Sequence, residues 1–576
     1  MKRLSTLIMI SLMCATGSSA GIGHEPRSPE PAVSIAIRGG TIYDGLGGEP
    51  FLGDILVAND RIVAVVKGGS RVKSRLNIDA RGLAIAPGFI NMLSWANESL
   101  LVDGRAMSDI KQGVTLEILG EGESMGPLTP DMKRDMERSE GDLRYPVTWT
   151  TLGEYLEHTA NQGIAPNVAS FVGAATVRIH ELGKDDVDPT PEQLGRMRGL
   201  VRQGMQEGAL GVSSALIYAP GAYAETPELV ALAREAALCG GIYISHVRSE
   251  GDRLLPAIDE LIDISRQSGA PAEIYHLKQA GRANWGKIDA ALARIEAARA
   301  QGLRITADMY SYTAGASGLD AAMPPWVQAG GYDAWVKRLK DPQIRARVVK
   351  EMSRPAKDWE NLYLAAGGAD NVLLIGFKNP DLKKYTGKTL AEVATALGES
   401  PIEAAIDLVI RDGSRVSTAY FMMDEANVRR QVGLPWIAFG SDESAPASEG
   451  VFLLSNSHPR AYGNIARLLG HYVREEKATT LQSAIQRLTS FPAKNLGIRD
   501  RGSLTAGNFA DLVVFDPKTI GDHATYAQPA HYASGVRDVF VNGIPVLRNG
   551  QATGRKAGQV VRGAGWQGWP NGGQCH

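Results

Sequence analysis

Two short stretches carry the residue types from which a metal site is made. "ISHVRSEG" places His246, and "IYHLKQAG" places His276, in polar turns that directly follow β-type apolar runs, 30 residues apart. Neutral imidazole is a good ligand for zinc, and a catalytic zinc takes three protein ligands while keeping a place for water. A lone histidine is more often a structural residue than a ligand. Two at equivalent positions of successive units point to one shared site, whose third ligand has to come from another turn. In a third stretch, "AFGSDES", Asp442 closes an apolar run. A carboxylate there can take a proton from water and return it to a leaving nitrogen. Ser-Asp is equally a common Asx turn or helix N-cap.

The elements that would position these turns are legible as eight apolar runs: "LAIAPGFINML" from 83, "LEILGEG" from 116, "NVASFVGAA" from 167, "LGVSSALIY" from 210, "GIYISH" from 241, "AEIYHLK" from 272, "RITADMYSY" from 304 and "WIAFGSD" from 436. Most are separated by helical patterns. One helix is marked by Thr226 as N-cap, Pro227 at its first position and Gly240 at its stop. The next carries Leu254, Ile258, Leu261 and Ile262 on one face. Eight strand–helix repeats predict an α/β chain with a (β/α)8 TIM-like barrel over 86–500, whose active site lies at the C-terminal ends of its strands. Alternating β runs and turns over 33–85 and again over 501–562 predict a small β-sandwich domain formed by both chain ends. The span from about 319 to 420 is too long for a loop and carries helical stretches, which predicts an insertion over the barrel mouth. The tail 563–576, Gly-rich over 563–574, is expected to be disordered.

Bulk properties narrow the function. The 576 residues are 44% hydrophobic, ample for a large packed core, and 61 Lys plus Arg balance 63 Asp plus Glu. No overall field recruits nucleic acid or an anionic membrane surface, so a small-molecule substrate is expected. Residues 1–20 read as a signal peptide, with Lys2 and Arg3, an apolar run from Leu4 to Ala15 and Ser18-Ser19-Ala20 as the cleavage site. The run is too short for a membrane span of about 20 residues. Lipid modification at Cys14 is the alternative, disfavoured by Met13 before it. After cleavage only Cys239 and Cys575 remain, which reads as no disulfide framework and suits export to a periplasm or beyond.

Longer motifs carry a resemblance. "APGFI" (86–90), "QGVT" (112–115), "GALGVSSALIYAPGAYAETPEL" (208–229), "ISHVRSEGDR" (244–253), "YHLKQAG" (275–281), "HPRAYGN" (458–464), "LTSFPAKNLGIRDRGSL" (488–504) and "GNFADLVVFDP" (507–517) resemble the N-acyl-D-amino-acid deacylases, the D-aminoacylase branch of the amidohydrolase superfamily. The resemblance covers nearly all of the mature chain. It implies a barrel metallohydrolase, usually zinc-dependent, that cleaves the amide of an N-acylated amino acid. His246 and His276 would be metal ligands, Asp442 the acid/base, and Lys278, Tyr310 and Arg460 would hold substrate, Arg460 by a bidentate grip on its carboxylate.

The chain also departs from the family. Its first strand should end in His-x-His, and "INMLSWANES" has Leu93 and Trp95 there; the cysteine ligand expected after the second strand falls at Gly122 of "LGEGESMG". The expectation is therefore a single-zinc site, one ion per chain, held by Glu121, His246 and His276, with Glu123 as the alternative to Glu121, since a carboxylate can replace a thiolate on zinc. Leu93 and Trp95 either fill the space left by the lost ligands or form an apolar wall for the substrate. The competing functions are a peptidase or cyclic-amide hydrolase on the same site, and a periplasmic binding protein without catalysis.

Overall fold

The computed structural model describes residues 33–575; the signal-peptide reading of residues 1–20, with Cys14, lies outside them. Each of the eight expected runs supplies one barrel strand: β1 (Phe89–Asn91), β2 (Val114–Leu119), β3 (Asn167–Ser170), β4 (Gly211–Ala215), β5 (Ile242–His246), β6 (Ala272–Ile274), β7 (Ile305–Met309) and β8 (Ile437–Phe439). β1 to β3 and β4 to β8 pair in parallel. β3 joins β4 where the Leu210 N–H donates to the Ser170 carbonyl at 3.0 Å, and the ring closes where the Met92 N–H donates to the Phe439 carbonyl at 3.1 Å.

The strands are short, rich in β-branched and aliphatic residues and buried on both faces, as parallel strands wrapped by helices are. Alternation sorts their side chains. Ile242 and Ile244 of β5 belong to the inner core with Ile90, Leu116, Ile118, Phe171, Tyr275 and Ala438, whereas Tyr243 belongs to the outer core that includes Leu229, Leu232 and Ile258 of the surrounding helices. His246, two residues beyond Ile244, shares the parity of the inward side.

The chain ends meet in one sheet, in which Leu512–Phe515 pairs antiparallel with Ala84–Pro87 and the latter pairs parallel with Ile35–Ile42. Its core is built from Ile37, Ile55, Val57, Ile85, Leu512, Val514 and Phe540. Between β7 and β8 the inserted segment forms its own sheet from Ala314–Gly318, Val372–Gly376, Lys388–Thr389 and Ser417–Phe421, with five α-helices over a core that includes Leu319, Trp335, Leu374 and Leu408. No helix among the described residues is long and apolar enough to cross a membrane.

Three expectations are corrected. The helix Thr226–Leu238 is preceded by Glu225 at the cap position, and Thr226 is instead its first residue, donating its hydroxyl to Glu260 at 2.8 Å. The tail is ordered over 563–575: Gly563 and Gln567 donate backbone N–H groups to Gly208 and Gln206, and the Trp566 and Trp569 rings stack edge-on at 5.1 Å. Two large aromatics anchor a segment whose glycine content alone argued for disorder. Cys239 and Cys575, 336 residues apart, are joined in a disulfide.

Candidate functional site

The metal-ligand candidates converge at the C-terminal ends of β2, β5 and β6. Glu121 Oε1 lies 2.9 Å from His276 Nε2 and 3.3 Å from His246 Nδ1. All three side chains are buried, and one ligand atom of each lies within 4.8 Å of the others. Glu123 is exposed and is not part of this group.

Backbone turns aim these side chains. Gly120 (φ 95°) and Gly122 (φ 64°) bracket Glu121 in a conformation that favours glycine. A Cβ at Gly122 would come within 2.5 Å of the Ala215 Cβ, so this backbone has no room for the family's cysteine at that place. Just past β6, Tyr275 already faces the barrel interior, and strict alternation would turn His276 away; its φ of 34° breaks the alternation and returns the ring to the site. The His276 N–H is held by Asp308 Oδ1 of β7 at 2.8 Å.

Asp442 sits beside the cluster just past β8, with φ 52° and its N–H on the Leu93 carbonyl at 2.9 Å. Its Oδ2 pairs with Arg460 Nη2 at 2.9 Å. Burial pushes the Asp442 carboxyl above the usual carboxylate range; Arg460 opposes this and Glu121 adds to it. The Arg460 guanidinium is 1% exposed and stacks over the Tyr310 ring at 4.3 Å. Its Nε and Nη1, and the Tyr310 hydroxyl, are buried without a hydrogen-bond partner in the protein. With Nη2 committed to Asp442, the open nitrogens lie on different edges of the guanidinium. The two-pronged grip expected from the sequence is reduced to one free N–H per edge.

Lys278 does lie at the site, but its Nζ faces Glu250 and sits 2.7 Å from His276 Nδ1. Glu250 is the residue the sequence reading missed. Its carboxylate lies 3.0 Å from His276 Nδ1 and 3.6 Å from His246 Nε2, on the far side of both rings from Glu121. The available signal was an acid four residues after His246 in the same polar turn. Burial pushes the Glu250 carboxyl up, but His246, Lys278 and His276 outweigh it and hold it well below the usual range. Glu121 is likewise held low by the two imidazoles against burial. Burial and Lys278 push the His276 ring down, yet Glu250, Glu121 and Asp442 outweigh them and raise it to about 10. Two imidazoles and one carboxylate form a known zinc donor set, and Glu250 stands where a carboxylate can orient a ligating histidine.

Leu93 and Trp95 divide. Leu93 is 1% exposed and packs in the barrel core, its Cβ pressed against Gly440. Trp95 is 39% exposed, and its indole N–H donates to Glu121 Oε2 at 2.9 Å and to Asp442 Oδ1 at 3.2 Å. The space-filling reading holds for Leu93, whereas Trp95 is half-exposed and turns its polar edge to the site. The inserted segment reaches the site through Glu360, which accepts the Glu250 N–H at 2.9 Å and whose carboxyl burial and Glu250 push up to about 7. A cavity of about 1000 Å³ is lined in part by Glu360, Trp359 and Ser249. None of the seven site residues expected from the sequence lines it.

A family model described as the amidohydrolase family matches residues 77–547. The D-aminoacylase of Alcaligenes xylosoxydans xylosoxydans is 31% identical over 539 residues, covering 93% of this chain and 99% of that protein. A crystal structure of N-acyl-D-glutamate deacylase from Bordetella bronchiseptica, complexed with zinc and a phosphonate inhibitor that mimics the tetrahedral intermediate, superposes with a TM-score of 0.76 at 29% identity, covering 92% of this chain and all of that one. A D-aminoacylase structure concerned with one-metal activation and second-metal attenuation of a binuclear centre does so with the same TM-score, identity and coverage. The barrel, the shared sheet of the two chain ends and the match over most of the sequence have one conclusion: the chain belongs to the amidohydrolase family.

Proposed function

We propose that this protein hydrolyses the amide bond of N-acyl amino acids, N-acyl-D-amino acids foremost, at a centre where Glu121, His246 and His276 hold one zinc ion. The observation that carries the reading is the convergence of these three buried donors beside the Asp442–Arg460 pair. The relatives add the substrate class, since they include a D-aminoacylase and deacylases of N-acyl-D-glutamate and N-acyl-D-aspartate. The D-aminoacylase described by one-metal activation makes a single ion sufficient by analogy.

When bound, zinc supplies Lewis acidity, polarising the scissile carbonyl and making water acidic near neutral pH. The chain's own residues do the rest. Asp442, through Oδ1, takes the proton of the attacking water and delivers it to the departing nitrogen. Arg460, through Nε or Nη1, and the Tyr310 hydroxyl meet the substrate carboxylate; both are buried donors without a protein acceptor. Glu250 holds His276 through Nδ1 and is itself held by Lys278. Lys278, whose Nζ also lies 2.7 Å from His276 Nδ1, is part of this network.

The test is zinc analysis of the purified protein followed by hydrolysis of N-acetyl-D-amino acids, N-acetyl-L-amino acids, dipeptides and cyclic amides. One zinc per chain with preferred cleavage of the D-series is the expected result. Two ions per chain would overturn the single-metal site, and cleavage confined to dipeptides or cyclic amides would replace the substrate class. We further propose that the protein is exported after cleavage of residues 1–20. The Cys239–Cys575 disulfide supports an oxidising compartment. Mass spectrometry of the N-terminus of the cell-purified protein tests this, and an intact Met1 would refute it.

A further inference from the structure

The indole of Trp95 holds one N–H between two carboxylates that belong to different parts of the chemistry. At 2.9 Å from Glu121 Oε2 and 3.2 Å from Asp442 Oδ1 it makes a three-centre hydrogen bond, joining loops that follow β1, β2 and β8. The other oxygen of each acid is committed elsewhere: Glu121 Oε1 faces His246 and His276, and Asp442 Oδ2 faces Arg460. Each carboxylate is therefore pinned at both oxygens, so neither can rotate about its terminal bond without losing a charge-assisted partner.

We propose that Trp95 is a positioning residue of the hydrolytic centre, whose indole N–H fixes Glu121 as a one-oxygen metal ligand and turns Asp442 Oδ1 toward the reacting groups. This rests on the function proposed above. A neutral donor suits the task. It orders two anions without adding a positive charge that would compete with a metal ion, and its rigid bicycle loses little freedom in doing so. The 39% exposure of the side chain leaves the ring at the edge of the site, where its removal opens no buried cavity.

Trp95→Phe tests the inference, because it keeps an aromatic ring and deletes the N–H. Two measurements are made on the full mature protein: the zinc dissociation constant by competition with a chelator, and kcat and KM on the N-acetyl amino acid that the wild type cleaves fastest. The expected result is zinc binding weaker by about 10–100-fold, the usual effect of removing a group that orients a metal ligand. A fall in kcat of about tenfold with KM within twofold should accompany it, since the N–H acts on the acids and not on substrate. Thermal unfolding should match the wild type. Wild-type zinc affinity and kcat in a folded Trp95→Phe protein would overturn the proposal, as would a change confined to KM, which would make Trp95 a substrate contact. Failure of the underlying function is read separately: a wild type that holds zinc and cleaves no N-acyl amino acid refutes that reading, while the zinc affinity of the variant still decides the role of the indole.

Discussion

At the scale of single residues, Asp442 and Arg460 work as a pair. Asp442→Asn removes the proton acceptor while keeping a side chain of the same shape outside the proposed ligand set. Zinc content should stay near one per chain and turnover should fall by about 10²–10⁴, the usual share of a general acid/base; metal analysis and single-turnover rates check this. Wild-type turnover in that variant would take Asp442 out of the mechanism. Arg460→Lys keeps the charge but cannot hold Asp442 Oδ2 and the Asp442 carbonyl while presenting Nε and Nη1. It should lower kcat through Asp442 and raise KM for substrates with a free α-carboxylate, and KM for the amide-capped analogue should change little. Equal KM effects on both substrates would place the carboxylate contact elsewhere.

At the scale of elements, the strands carry acids as well as ligands. Glu117 of β2 meets Asp109 of the helix Met107–Ile110 through Asn91 of β1, and burial pushes the Glu117 carboxyl up to about 7. In the folded protein the group keeps its proton over a range in which the unfolded chain, with an ordinary value near 4.5, has lost it. Its contribution to stability is therefore present at low pH and is lost as pH rises from about 4.5 through 7. Glu117→Gln cannot ionise, so the difference between its thermal midpoints at pH 5 and pH 8 should shift in favour of pH 8 relative to the wild type. An unchanged difference would mean that Glu117 titrates in the fold as it does in the unfolded chain. The inserted segment acts at the same scale, because it brings Glu360 against the backbone of Glu250 while folding around its own core.

At the scale of the whole molecule, the Cys239–Cys575 bridge ties the C-terminal tail to the end of the helix Thr226–Leu238. Closing a loop of several hundred residues constrains the unfolded chain, and loss of a native disulfide typically costs about 2–5 kcal/mol. Cys575→Ser should lower the thermal midpoint, and reductant should lower that of the wild type while leaving the variant unmoved. A wild-type midpoint insensitive to reductant under conditions that free both thiols would show that the packing of Trp566 and Trp569 alone holds the tail.

The sequence by itself determined the eight strands and the identity of the ligand candidates. Both are written in local patterns: short β-branched and aliphatic runs, most of them separated by helical patterns, and histidines or acids directly after them. Glu121 follows β2 more closely than Glu123 does, and the two bracketing glycines are the local reason that it turns inward. Only the tertiary structure decided which atoms meet. Trp95 reads as an apolar residue in its own segment, and its N–H acquires a purpose because residues 26 and 347 positions away bring their carboxylates to it. Glu250 was visible as an acid near a histidine, but its contact with a second histidine from the next strand depends on the parallel pairing of β5 and β6. Arg460 was legible as a cation for a carboxylate, and the fold spent one of its nitrogens on Asp442. Strand periodicity is a property of neighbours in sequence. Hydrogen-bond partnership between side chains depends on distances of a few tenths of an ångström between segments that only the packed barrel brings together.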